Sequence, residues 1–253
     1  MPFNFSEKNV LVTGATQGVG KATAIAFAQA GARVAVHYNQ QKEKAEQVAN
    51  ALPGEGHIAV QANFMDPASI KQMVDTVLAR FGHVDILVNN AVTYRQPHPL
   101  DSLDYDSWAD IWHEMINTNL VGTANVTYCV ARHMITRRTG RIVNVSSRGA
   151  FRGEPENPAY GASKAGLNAL CQSLAVHLAP HNVYVNAVAP GFIETESVQE
   201  KLKNNPDIRR QSPLNRVAKP EEVAYTILFL ASDGAEFTTG GIVDLNGASY
   251  LRT

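Results

Sequence analysis

The sequence predicts an α/β fold built on a doubly wound, seven-stranded parallel sheet with helices on both faces. Three observations predict it. Seven short apolar runs alternate with longer helical patterns along the 253 residues. The first run leads directly into a glycine-rich turn and an alanine-rich helical stretch. No Pro/Ser-rich or charged linker interrupts the chain, so 1–253 reads as a single domain.

Taken in order, Lys8 to Thr13 forms the first strand, near 8–13, and runs into Thr13-Gly14-Ala15-Thr16-Gln17-Gly18-Val19-Gly20. Lys21 to Ala30 is apolar and alanine-rich and stops at Gly31, a helix-ending signal. Arg33-Val34-Ala35-Val36 starts the second strand, near 33–37. Strand, glycine turn, helix and strand in this order make a dinucleotide-binding loop. There glycines let the backbone approach a pyrophosphate, and the helix N-terminus offers free N–H groups. Further strands are expected near 57–61, 84–88, 140–146, 182–189 and 241–245, with the longest helices at about 104–135 and 159–179. Parallel strands need right-handed crossovers, and ligands bind beyond the strand C-terminal ends. Thr13, Asn89, Ser146-Ser147 and Pro190-Gly191 all fall at such ends, so separate motifs converge on one crevice.

Composition narrows the function classes. The net charge is −1 and the pI about 6.7, with no basic stripe, which argues against a nucleic-acid partner. The opening residues lack the apolar core of a secretory signal, and no apolar run is long enough to span a bilayer. Cys129 and Cys171 fall in expected helices and read as buried small hydrophobes, consistent with a reducing cytoplasm. The eight histidines show no metal-ligand spacing, so no metal is expected. A cytoplasmic location without membrane contact is the expectation.

The chemistry is carried by Tyr160-Gly161-Ala162-Ser163-Lys164, with Ser147 thirteen residues upstream of the tyrosine. On a helix Tyr160 and Lys164 share one face a single turn apart. An ammonium held there favours the phenolate and lowers the tyrosine pKa, turning a phenol into an acid or base for neutral pH. Ser147 supplies a hydroxyl hydrogen bond at the same point.

On these motifs the chain resembles the short-chain dehydrogenase/reductase family, in its compact single-domain, Rossmann-type branch. The resemblance runs from about Lys8 to the C-terminus. It includes the Thr13-Gly-x-x-x-Gly-x-Gly20 spacing, Asn89-Asn90-Ala91, Asn119 in Asn117-Thr118-Asn119-Leu120, Ser147, Tyr160, Lys164, Pro190-Gly191 with Thr195, and Lys219-Pro220-Glu221-Glu222-Val223. The 3-oxoacyl-acyl-carrier-protein reductases are the most similar members, followed by sugar and steroid dehydrogenases. The resemblance implies Tyr160 as proton donor to a carbonyl, Lys164 as its pKa modulator and nicotinamide-ribose ligand, Ser147 as carbonyl polariser, and Asn119 as anchor of a water leading to Lys164. It implies cofactor contacts from Gly14, Thr16, Gln17, Gly18, Val19, Gly20, His37, Tyr38, Asn39, Asn63, Phe64, Asn90, Ala91, Tyr160, Lys164, Pro190, Gly191, Ile193 and Thr195.

The end of the second strand, His37-Tyr38-Asn39-Gln40-Gln41-Lys42, carries no acidic residue to bind a ribose 2′-hydroxyl, which points to NADP(H), with NAD(H) the alternative. Gln17 stands where many NADP-dependent relatives have arginine, so His37, Asn39 and Lys42 are the candidates to meet a 2′-phosphate. Val92 and Ala248 stand where the family usually has glycine, and Val92 is expected to shift the loop beside the cofactor. A substrate lid is expected over about 193–216. Arg148, Phe151, Arg152 and Glu154 follow Ser147 and are candidates to face the pocket, with a solvated loop the alternative, and Tyr94, Arg95 and His98 lie in another loop that is a candidate to close it. Arg137 and Arg138 resemble half of a carrier-docking patch whose other half, near His181, is not arginine, which leaves acyl carrier protein an open partner. The expected activity is reduction of a small-molecule ketone, with a 3-oxoacyl thioester as one candidate, to a secondary alcohol. Sugar or other alcohol dehydrogenation is the alternative, and a non-catalytic nucleotide sensor or a nucleotide-retaining epimerase are readings of other classes. A homotetramer is implied by resemblance.

Overall fold

The computed structural model describes residues 3–196 and 198–252. Seven strands form one sheet: β1 (Asn9–Val12), β2 (Arg33–Tyr38), β3 (Ile58–Gln61), β4 (Ile86–Asn89), β5 (Gly140–Val145), β6 (Val183–Pro190) and β7 (Ile242–Leu245). Their order is β3-β2-β1-β4-β5-β6-β7 and every pair is parallel. The chain winds outward from β1 to β3 and then returns to place β4 on the other side of β1. The reversal between β1 and β4 opens a crevice above their C-terminal ends.

The helices are α1 (Gly18–Gln29), α2 (Lys42–Ala51), α3 (Pro67–Phe81), α4 (Tyr105–Ile116), α5 (Thr123–Arg137), α6 (Gly149–Arg152), α7 (Pro158–Leu178), α8 (Gln199–Asn204), α9 (Asp207–Arg210) and α10 (Pro220–Ala231). Alternation along each strand feeds two cores. Val10, Val12, Val34 and Val36 pack with Phe27 of α1 and Ile227 and Leu228 of α10. Leu11, Ala35, Leu87 and Ile142 pack on the other face with Ile70 and Met73 of α3, Val126 and Val130 of α5 and Leu178 of α7. Burial on both faces is why these strands read as unbroken apolar runs.

The expected helix at about 104–135 is interrupted. Asn117–Gly122 adopts π-helical geometry between α4 and α5. Asp104 starts this segment, its carboxylate accepting the Ser107 N–H at 2.9 Å. Val92 keeps a φ outside the left-handed region, whereas Ala248, at φ +58°, occupies a conformation that glycine adopts without strain. The expected lid contains α8 and α9 and has its own small core of Leu202, Ile208 and Val217; its residue 197 lies outside the described residues.

Candidate active site

The turn after β1 and the start of α1 make the floor of the crevice. Gly14 has φ +62°, and a Cβ there would lie 2.8 Å from the Ala91 Cα. A Cβ on Gly20 would come within 2.2 Å of the Gly14 carbonyl. Only glycine permits this packing. Asn90 ties the loop to β4, its amide donating to the Thr13 and Gly14 carbonyls at 2.9 and 3.0 Å. Thr13 Oγ1 accepts from the Asn90 and Ala91 N–H groups, both at 2.9 Å. Gln17 at the start of α1 gives no side-chain cap to the first turn of this twelve-residue helix. That bare, glycine-lined helix end fits the pyrophosphate of a dinucleotide. Thr195 approaches from the opposite wall, its Cγ2 3.1 Å from where a Gly18 Cβ would stand.

Ser147 follows β5, and Tyr160 and Lys164 lie on α7. The Ser147 and Tyr160 hydroxyls are hydrogen-bonded, and Ser147 Oγ also accepts the Gly149 N–H at 3.1 Å. Lys164 is buried, and its ammonium donates to the Val145 carbonyl at 2.7 Å while lying 5.9 Å from the Tyr160 ring centroid. Burial pushes the Tyr160 phenol up to about 12, with the Ser147 hydrogen bond opposing. Burial likewise lowers Lys164 to about 8. Desolvation is the largest cause at the tyrosine, and the Lys164 ammonium donates to the Val145 carbonyl.

Asn119 sits in the π turn, its Oδ1 accepting the Thr93 N–H at 2.8 Å and its Nδ2 donating to the Thr93 carbonyl at 3.1 Å. The amide fastens the π turn to the loop after β4 and approaches Ser163 Oγ at 3.4 Å. A π turn shifts the helical hydrogen-bond ladder, a geometry common at functional sites.

Two expected cofactor contacts need correction. His37 is buried; its Nδ1 accepts the Gly14 N–H at 2.9 Å and its Nε2 lies 3.2 Å from the Ala62 carbonyl. Burial lowers its pKa to about 4, so it is neutral and holds the glycine loop, with no charge or free ring nitrogen for a phosphate. Phe64 is buried and stacks on His37 at 4.8 Å, so its ring belongs to the wall beneath the crevice. Asn63 stays exposed, its Oδ1 taken by the Met65 N–H at 3.0 Å. Asn39 is also exposed, and Tyr38 packs against the α1 core. Pro190 ends β6, the Gly191 N–H donates to the Leu245 carbonyl at 3.0 Å, and Ile193 bridges to Ala218. Thr16 and Val19 are buried in the turn.

Sequence reasoning missed one group and the place of another. Lys44, on α2, donates to Gln17 Oε1 at 3.1 Å and pairs with Glu196 at 3.6 Å. The expected cation, Lys42, instead pairs along its own helix with Glu46. The signal was helix phase: Lys44, two residues on, is the lysine turned toward the loop. Tyr94 was expected only to close the pocket, yet its ring stands edge-on to Tyr160 at 5.3 Å. Arg148 turns away from the catalytic pair toward Ser249 and Gln211 and stacks on Phe192 at 5.0 Å. It lines a separate cavity of about 630 Å³ between residues 208–218 and α10.

A family profile described as enoyl-(acyl carrier protein) reductase matches residues 14–247. A 3-oxoacyl-[acyl-carrier-protein] reductase FabG of Thermotoga maritima is 43% identical over 250 residues, covering 96% of this chain and 98% of that protein. The chain belongs to the short-chain dehydrogenase/reductase family. A 3-oxoacyl-[acyl-carrier-protein] reductase of Synechocystis is 40% identical over 244 residues, covering 95% and 96% of the two chains. A solved structure described as gox2181 superposes with a TM-score of 0.90 at 31% identity, covering 97% and 96%. Another, described as ribose-5-phosphate isomerase from Brucella melitensis 16M, gives 0.87 at 31% identity, covering 97% and 92%. This short-chain dehydrogenase/reductase is an oxidoreductase acting on CH–OH and C=O groups with a nicotinamide cofactor. No helix among the described residues is long and apolar enough to cross a membrane.

Proposed function

We propose that the protein reduces a 3-oxoacyl thioester to the 3-hydroxyacyl thioester with NADP(H), using Ser147, Tyr160 and Lys164. The observation that carries the reading is the hydrogen-bonded Ser147–Tyr160 hydroxyl pair beside a buried lysine, facing the crevice of a dinucleotide-binding sheet. The names of the Thermotoga and Synechocystis relatives supply the substrate class. The absence of a carboxylate from Tyr38 to Gln41 supports NADP(H).

The cofactor, when bound, supplies a hydride to the carbonyl carbon. Gly14 to Gly20 and the start of α1 would hold its pyrophosphate, and Lys164 and Asn90 would hold its nicotinamide end. Ser147 donates a hydrogen bond to the substrate carbonyl oxygen, where negative charge develops. Tyr160, protonated across neutral pH, gives that oxygen its proton. Lys164, near 8, holds a proton close to the tyrosine, and Asn119 fixes the π turn alongside.

The reading commits to the thioester and not to its carrier. Arg137 pairs with Asp85 at 3.1 Å and Arg138 donates to the Pro180 carbonyl at 3.0 Å, both at the opposite end of the sheet from the crevice. We place the enzyme in the cytoplasm, consistent with two free cysteines, as a homotetramer. Tyr160→Phe tests the chemistry. It is expected to keep cofactor affinity and lose turnover by roughly 10²–10⁴-fold; a variant with undiminished turnover refutes the assignment.

A further inference from the structure

We infer that Lys44, on α2, is the residue that recognises the 2′-phosphate of the cofactor and so sets its nucleotide specificity. The inference rests on the NADP(H) reading above and names the side chain responsible.

The adenosine ribose of a dinucleotide seated on the loop after β1 lies toward the end of β2. Selectivity for a 2′-phosphate there needs a positive charge close to the loop. His37 cannot provide one: both ring nitrogens are engaged and burial keeps the ring neutral. Gln17 carries no charge. Lys42 is turned along α2 to Glu46 at 3.8 Å. Among the described residues, Lys44 is the only cationic side chain hydrogen-bonded to the glycine loop, through Gln17 Oε1 at 3.1 Å. Its side chain is 35% exposed, open enough to meet a ligand and anchored enough to be positioned for one.

The competing partner is Glu196, 3.6 Å from the Lys44 ammonium and 73% exposed. An exposed pair at that distance is weak. A phosphate carries more charge and offers three acceptor oxygens, so it displaces the carboxylate. Glu196 would then oppose the phosphate by like-charge repulsion. Gln17 and Lys44 together thus do the work of an arginine in the loop, with the glutamine orienting and the lysine carrying the charge.

The test is calorimetric titration with adenosine 2′,5′-bisphosphate and with adenosine 5′-monophosphate, which requires no turnover. The wild-type protein should bind the bisphosphate more tightly. Lys44→Met should weaken the bisphosphate about tenfold, or about 1.4 kcal/mol, and leave the monophosphate unchanged. Glu196→Gln should tighten the bisphosphate about two- to threefold. If the wild type favours the bisphosphate and Lys44→Met keeps that preference, the role of Lys44 is overturned while the NADP(H) reading stands. If the wild type shows no preference, the NADP(H) reading falls and the inference with it.

Discussion

His37 is a titratable side chain locked neutral, and that has a thermodynamic consequence. Its folded pKa is about 4 against an ordinary value of 6.5, with burial the cause. Between those values the unfolded chain binds a proton that the folded chain refuses, so stability rises with pH through this window. The contribution is complete above 6.5 and is lost as pH falls toward 4, amounting to at most about 3 kcal/mol. The urea midpoint should therefore fall from pH 6.5 to 4, and His37→Asn should flatten that part of the profile. An identical slope in the variant would remove His37 as the cause. At this scale Ser147, Tyr160 and Lys164 were legible because helical spacing alone places two of them on one face. His37 was not, because a strand residue one step from the crevice looks the same whether it points into it or beneath it. The raised Tyr160 pKa was equally hidden, since its largest cause is burial of the phenol, which depends on how α7 packs in the fold.

Elements show a similar division. The inner strands stood out because they are buried on both faces, the half-buried edge strands β3 and β7 as short apolar runs, and the two long helical tracts matched their expected spans within a few residues. The π turn at Asn117–Gly122 was invisible because its apolar spacing is continuous with α4 and α5. The leucine series of α7 had two readings, core or subunit contact. Leu167 and Leu178 are fully buried within the protomer, so at both ends the series serves the core. Large apolar side chains do remain exposed elsewhere: Tyr128 on α5 at 67%, Val176 on α7 at 81%, and Tyr225 and Phe229 on α10. Such side chains on three helices fit burial between copies of the chain. Sedimentation at assay concentration should give the mass of four chains, and a monomer would contradict the assembly.

For the whole molecule, strand order does most of the functional work. Residues as distant in sequence as Gly14, Asn90, Ser147, Tyr160 and Thr195 meet because β1, β4, β5 and β6 are neighbours whose C-terminal ends all open on one side. The glycine loop, the π turn and the segment after β6 wall a single crevice, and the separate cavity behind Arg148 lies outside it. That convergence was legible from where the motifs fell along the chain. Lys44, and the place of Tyr94 against Tyr160, were not, because they depend on which way α2 and the loop after β4 lean over the crevice.

The central claim is that this crevice reduces a 3-oxoacyl thioester with NADPH. The most direct measurement is the loss of reduced-nicotinamide absorbance with a short acetoacetyl thioester, comparing NADPH with NADH at equal concentration. Turnover with NADPH should be at least about tenfold more efficient than with NADH, a preference worth about 1.4 kcal/mol. No turnover with either nucleotide, or a preference for NADH, would contradict it.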